Sequence, residues 1–237
     1  MNRFDRLKDE LNNWNITISE ECLEFFDSYY QLLVSWNEKM NLTSITEPKE
    51  VLYKHFLDSL APLQYVDFSG KTVLDVGTGA GFPGIPLAIM CPNTKFVLLD
   101  SLNKRINYLS EVISVLGLSN TTCFHGRAEE FAFKKEYREQ FDFVVSRAVA
   151  NLSTLSEYCL PFVNTEGSFI SFKSEQSDEE IKSAERAISI LGGKISEICD
   201  YNLNYDSIVH RLVFIDKVKR TGKNYPRKAG TPSKSPL

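Results

Sequence analysis

Cys22, Phe25, Phe26, Tyr29, Leu32, Leu33, Trp36 and Met40 recur at three- and four-residue steps. That is the spacing of one buried face of a helix. Ser19 precedes this run as a cap, and Glu20 and Glu21 fall in the first turn, where the helix dipole favours acids. A second helix is expected to open near Pro48 and run through Val51, His55 and Leu60. Residues 1–64 therefore read as an N-terminal helical extension. Near residue 70 the period changes. Short β-rich runs at Thr72–Val76, Phe96–Asp100, Thr121–His125, Phe141–Ser146 and Ser168–Phe172 alternate with helical stretches at Lys104–Leu116, Leu152–Phe162 and Asp178–Leu191. Such alternation predicts an α/β core with a mostly parallel sheet and helices on both faces. Two further runs, Lys194–Cys199 and Ile208–Val218, have no helix between them and should close one end of the sheet as an antiparallel hairpin. The pattern thus predicts a seven-stranded Rossmann-like core over 65–219. The segment 220–237, with its prolines, glycines and cations, reads as an extended basic tail, mobile unless a partner orders it.

The chemistry concentrates where the first β run ends. Val73-Leu-Asp-Val-Gly-Thr-Gly-Ala-Gly-Phe-Pro-Gly84 places glycines at 77, 79, 81 and 84. Glycine lets a ligand approach the backbone, and a helix starting after the turn points free N–H groups into the same space. Open α/β sheets bind ligands at this end of the strands. Gly79-x-Gly81-x-x-Gly84 formally matches the dinucleotide fingerprint, which leaves an NAD-dependent dehydrogenase as one reading. The triplet starts two residues late, however, and Asp75 beside it suits a cationic ligand better than a pyrophosphate. Asp75-x-Gly77-x-Gly79-x-Gly81 resembles the pattern by which class I methyltransferases hold S-adenosylmethionine. Asp100, at the end of the second strand, is placed to accept from ribose hydroxyls. Its neighbours Ser101 and Leu102 join it as cofactor-binding candidates. Gly126-Arg-Ala-Glu-Glu130 follows the third strand, near the adenine in methyltransferases of this appearance.

The fourth strand narrows the target. Phe141-Asp-Phe-Val-Val-Ser-Arg-Ala-Val149 carries no N-P-P-Y or D-P-P-Y to hold an exocyclic amine. It also carries no Pro-Cys nucleophile for covalent activation of a pyrimidine. An atom that is already nucleophilic fits, and guanine N7 needs no general base. Catalysis then rests on positioning. Arg147 is assigned to shaping the cofactor and substrate pocket, because a cation hydrogen-bonded to N7 would block methylation there. No catalytic acid or base is evident.

Taken together, Trp36-Asn-x-x-x-Asn-Leu-Thr43, His55-Phe-Leu-Asp-Ser59, Asp75-Val-Gly-Thr-Gly-Ala-Gly-Phe-Pro-Gly-Ile-Pro86, Leu99-Asp-Ser-Leu-x-Lys-Arg105, Arg127-Ala-Glu129 and Ser146-Arg147-Ala148 resemble the ribosomal RNA small subunit methyltransferase G family. The resemblance runs over nearly the whole chain, including the tail motif Tyr225-Pro-Arg-Lys-x-Gly-Thr-Pro-x-Lys-x-Pro236. It implies N7 methylation of one guanine in 16S ribosomal RNA, with S-adenosylmethionine as donor. It carries cofactor contacts onto Gly77, Phe82, Asp100, Ala128, Glu129 and Arg147. A non-catalytic S-adenosylmethionine-binding RNA-binding protein stays open as an alternative.

Charge sharpens the partner. The 237 residues hold 27 Lys/Arg against 31 Asp/Glu, a net −4 that by itself argues against a polyanion. Residues 217–237 hold seven Lys/Arg and no acid, which leaves 20 against 31, or −11, for residues 1–216. A local basic footprint of that kind suits an RNA backbone. Lys104, Arg105, Lys223, Arg227, Lys228 and Lys234 are the RNA-binding candidates. His55 and Asp58, three apart, are expected to share a helix face and pair, and they join Arg147 as positioning candidates. Trp36 reads as core. Five scattered cysteines with no C-x-x-C argue against a disulfide framework and a metal site. The charged N-terminus lacks a signal-like apolar run. A cytoplasmic monomer with no membrane contact is expected.

Overall fold

The computed structural model describes residues 3–237. Helix α1 (Asp5–Asn13) and helix α2 (Glu20–Asn37) form the extension. The Ser19 side chain caps α2 by accepting from the Cys22 N–H at 3.1 Å. Next come α3 (Pro48–Glu50), a π-helical stretch Val51–Leu57 and α4 (Asp58–Leu60). They run on as one continuous rod, so the helix expected near Pro48 is present with a wider winding over its middle.

The core alternates β1 (Thr72–Val76), α5 (Gly84–Met90), β2 (Lys95–Asp100), α6 (Asn103–Val115), β3 (Thr121–His125), α7 (Ala128–Phe131), β4 (Phe141–Arg147), α8 (Leu152–Cys159), β5 (Val163–Ser174), α9 (Asp178–Ile190), β6 (Gly193–Asn202) and β7 (Val209–Lys217). The seven strands lie in the order β3-β2-β1-β4-β5-β7-β6. Only β7 runs antiparallel to its neighbours. The terminal hairpin enters the sheet with its second strand inside and its first on the edge. Composition explains this. Leu212–Ile215 of β7 is apolar on both faces and buried, whereas β6 alternates Lys194, Ser196, Glu197 and Asp200 with apolar residues, as an edge strand tolerates. The hairpin turn thereby reaches the C-terminal rim of the parallel strands, and Tyr201 and His210 come with it.

Two apolar layers hold the sheet. The extension, α5 and α6 cover one face, with Phe4, Phe26, Tyr29 and Phe56 among the fully buried side chains. Helices α8 and α9 cover the other, through Leu155, Cys159, Ile181 and Ile188. Trp36 packs against Tyr108, with ring centroids 5.7 Å apart, as its core reading requires.

The C-terminal segment departs from expectation. It is docked on the body, not extended and mobile. Arg138 donates to the carbonyls of Thr221, Gly222 and Tyr225 at 3.0–3.1 Å. Thr154 donates to the Pro232 carbonyl at 3.0 Å, and a short helix α10 (Thr231–Lys234) ends the strap. Thr221, Pro226 and Pro232 are buried. Pro226 and Pro232, read as disorder signals, serve here as packing groups with no N–H to satisfy.

Candidate cofactor cleft and its neighbouring charge cluster

The turn after β1 winds through left-handed backbone at Gly77, with φ of 71°. A Cβ there would also meet Val149 Cγ2 at 2.6 Å, because the loop after β4 folds back over it. Asp100, almost fully buried, ties two loops together. Its Oδ2 accepts from the Gly79 N–H at 2.9 Å and from Arg105 Nη1 at 3.2 Å, and its Oδ1 accepts from the Leu102 N–H at 2.8 Å. Between these loops opens a cleft of about 140 Å³, lined by Val76, Gly77, Leu99, Asp100, Ser101, Gly126, Arg127, Ala128, Glu129, Val149 and Tyr158. Glycine backbone, two buried carboxylates and an aromatic wall suit a nucleoside carrying positive charge. Of the predicted cofactor residues, the structure brings Gly77, Asp100, Ser101, Ala128 and Glu129 together here. Sequence reasoning missed Tyr158 and Val149. Each lies in a segment whose only signal was helical or strand period.

Other candidates stand outside the cleft wall. Asp75 is fully buried, and its Oδ2 accepts from the Gly84 N–H at 2.9 Å while its Oδ1 has no partner. It braces the far end of the glycine turn and is not among the residues that line the cleft. Gly84 is glycine because a Cβ would stand 2.3 Å from Leu98 Cδ2, and Gly81 because one would stand 2.6 Å from the Tyr29 hydroxyl. At Gly81, where a dinucleotide fingerprint needs open backbone for a pyrophosphate, Tyr29, Ile85 and Leu109 fill the space, which removes the ground for the dehydrogenase reading. Leu102 contributes its N–H to Asp100, and its side chain lies in a neighbouring groove with Lys104 and Arg105. Gly79 contributes only that other N–H.

Burial raises the Asp75 carboxyl to about 7, against the pull of the Gly84 N–H. A folded-state acid raised in this way stabilises the fold fully below its unfolded value near 4, and that stabilisation is lost as pH rises through 7. Asp75→Asn is expected to flatten the decline in stability between pH 4 and 7, read by urea denaturation at each pH. An unchanged slope would refute it.

Phe82 and Arg147 form a second cluster at the same rim. The Arg147 guanidinium lies 5.2 Å from the Phe82 ring, and Nη1 donates to Asp58 Oδ2 at 2.6 Å and to the Lys54 carbonyl at 3.3 Å. Asp58 Oδ1 accepts from Tyr201 OH at 2.6 Å and lies 3.1 Å from His210 Nδ1. Burial alone would push Asp58 up. His210, Arg147 and Tyr201 outweigh it and hold the carboxyl below the usual range. His55 does not pair with Asp58. Its Nε2 lies 2.9 Å from Thr43 Oγ1, and its ring stacks on Phe82 at 4.4 Å. The π winding of Val51–Leu57, in which each N–H reaches back five residues, changes which positions share a face. Burial and the nearby Arg147 lower His55 to about 4, so the ring is neutral near pH 7.

The RNA-binding candidates divide. Lys104, Lys223, Lys228 and Lys234 are exposed. Arg105 is held by Asp100, and Arg227 is bound to the buried carboxylate of Glu157. Lys217, counted with the basic segment, is buried with Nζ 3.1 Å from the Val163 carbonyl. The free charge of 217–237 is therefore smaller than its composition. Among the described residues no cluster of three or more His, Cys, Asp or Glu gathers to hold a metal, and no helix is long and apolar enough to cross a membrane.

Strand order, the glycine turn at the end of β1 and the carboxylate at the end of β2 define a class I S-adenosylmethionine-dependent methyltransferase. Solved structures agree in fold. An S-adenosylmethionine-dependent methyltransferase from Aquifex aeolicus matches with a TM-score of 0.56 at 18% identity, over 74% of this chain and 96% of that one. The M. jannaschii TYW2 protein in complex with AdoMet matches at 0.54 and 15% identity, over 68% and 76%. The family model for rRNA small subunit methyltransferase G matches residues 22–209. Proteins of that name from Clostridium novyi and Desulforamulus reducens are 48% and 50% identical to this chain, covering 99% and 98% of it and 97% of each relative. The chain belongs to the ribosomal RNA small subunit methyltransferase G family.

Proposed function

We propose that the protein transfers the methyl group of S-adenosylmethionine to N7 of a guanine in 16S ribosomal RNA. The carrying observation is the cleft at the end of β1, placed beside the Arg147 cluster in a chain of this family. Gly77, Asp100, Ser101, Ala128 and Glu129 would hold the cofactor. When bound there it supplies an electrophilic methyl group. Tyr158 and Val149 supply apolar surface to the cleft wall. Arg147, fixed by Asp58 and the Lys54 carbonyl, shapes the rim where the base enters. Its Nη1 is committed to those two acceptors, which fixes the direction of the guanidinium. None of the five cysteines lines the cleft, so no thiol stands where a covalent route would need one. Burial pushes the Cys91 and Cys199 thiols up to about 12 and Cys159 well above its usual value. Orientation of two reactants, a term worth about 7–11 kcal/mol at its best, is enough for a nucleophile that carries no proton.

The test is mass spectrometry of nucleosides from 16S RNA incubated with the protein and methyl-labelled S-adenosylmethionine. Labelled 7-methylguanosine supports the reading. Cofactor binding without any methylated nucleoside would favour the non-catalytic alternative. The same reading includes a cytoplasmic setting, which the five free cysteines fit, and action as a monomer, which sedimentation tests directly.

For RNA, the exposed cations of the docked strap are the contacts we favour. Replacing Lys223, Lys228 and Lys234 together by Gln is expected to weaken binding and to reduce the slope of log K against log salt by about two to three. Equal slopes for the two proteins would remove these residues from the interface.

A further inference from the structure

We infer that the C-terminal strap is a working part of the cofactor cleft, with Arg227 as a positioning residue. The inference rests on the cofactor reading above.

Arg227 and Glu157 form a many-pronged pair. The backbone N–H and Nε of Arg227 donate to Oε1 at 2.7 and 2.9 Å, and Nε and Nη2 to Oε2 at 3.1 and 2.6 Å. Glu157 is fully buried, and its neighbour on α8, Tyr158, lines the cleft. Three residues beyond Arg227, the Gly230 N–H donates to Glu129 Oε1 at 2.9 Å. Glu129 is buried, and it too lines the cleft, from α7. The strap therefore grips both walls, α8 through Glu157 and α7 through Glu129. It then anchors itself again where Thr154 donates to the Pro232 carbonyl.

A buried carboxylate holds one orientation only while its partners fix it. One oxygen of Glu129 is taken by the strap, which limits the orientations open to a carboxylate that lines the cleft. The bidentate geometry explains why an arginine stands at 227. A lysine would meet Glu157 as a point charge and set the strap's register less tightly. Gly230 adopts φ of 81°, which turns its N–H onto Glu129. None of this contributes an atom to the reaction. It sets how well the cleft is formed before a ligand arrives, which is a cost removed from binding.

The test compares the full chain with a double variant, Arg227→Met with Glu157→Met, which frees the strap from α8 at this pair without stranding a buried charge. Isothermal calorimetry with S-adenosylmethionine and with S-adenosylhomocysteine reads cofactor affinity without RNA. We expect both dissociation constants to weaken roughly tenfold, the loss of about one charge-assisted hydrogen bond's worth of ordering. KM for the cofactor should rise while kcat at saturation stays within about twofold, and Arg227→Lys should lie between the two proteins. A lower melting temperature with unchanged dissociation constants would make the strap merely structural and overturn the inference. If the unsubstituted chain itself failed to bind S-adenosylmethionine, the proposed function would fall instead.

Discussion

Asp58→Ala is expected to destabilise the fold by about 3–5 kcal/mol in urea denaturation, the range for breaking a buried ion pair from one side. Arg147 would keep only the Lys54 carbonyl at 3.3 Å and the Phe82 face, with its side chain 14% exposed. Tyr201 and His210 would lose their shared acceptor. Tyr201→Phe, which removes one neutral donor and leaves the charges matched, should cost only about 1 kcal/mol. The pH dependence has a definite sign. Asp58 is held below its unfolded value, so its stabilisation is present above pH 4 and is lost as pH falls through the folded value. The unsubstituted protein should therefore lose stability below pH 4 more steeply than Asp58→Ala does. Methyl transfer should fall about 100-fold or more, because Arg147 no longer has a fixed direction. A loss below 1 kcal/mol, or parallel acid limbs, would show that Asp58 is not the centre of this network.

Sequence made the sheet legible because each core strand announces itself as a short apolar run between helices. The glycine turn stood out because four glycines after a strand fit neither a helical nor a strand period, although Gly81 and Gly84 prove to be required by packing and not by a ligand. The Asp100 assignment follows from the same spacing, and the structure places it in the cleft. What stayed hidden are contacts that local pattern does not encode. Asp58 and Tyr201 are 143 positions apart, and Glu157 and Arg227 are 70 apart. Arg227 read as a free cation because composition counts charge without its partner. Asp75 read as a ligand contact because sequence shows it beside the glycines but not which way it points, and it points at Gly84. The pairing of His55 with Asp58 assumed α-helical winding, which the chain abandons between Val51 and Leu57.

Asp100→Ala should have the opposite balance of effects, a large loss of affinity at a smaller cost in stability. Calorimetry is expected to show S-adenosylmethionine binding weakened about 100-fold or more. One charge-assisted hydrogen bond to the cofactor at about 1.5–3 kcal/mol, added to the lost ordering of the two loops, accounts for that, at 1.4 kcal/mol per factor of ten. The carboxylate joins the turn at Gly79 to the loop at Leu102, so its removal also lets the two sides of the cleft drift apart. Binding then has to order them again. Stability should suffer less than with Asp58, because Arg105 is 34% exposed and can turn its guanidinium to water, and water can reach the loop N–H groups through the open cleft. Asp100→Asn keeps one carbonyl acceptor but loses the charge, and should fall between the two. A dissociation constant for Asp100→Ala within threefold of the unsubstituted protein would remove Asp100 from the cofactor site, while a stability loss equal to that of Asp58→Ala would show that its bonds hold the core and not only the cleft.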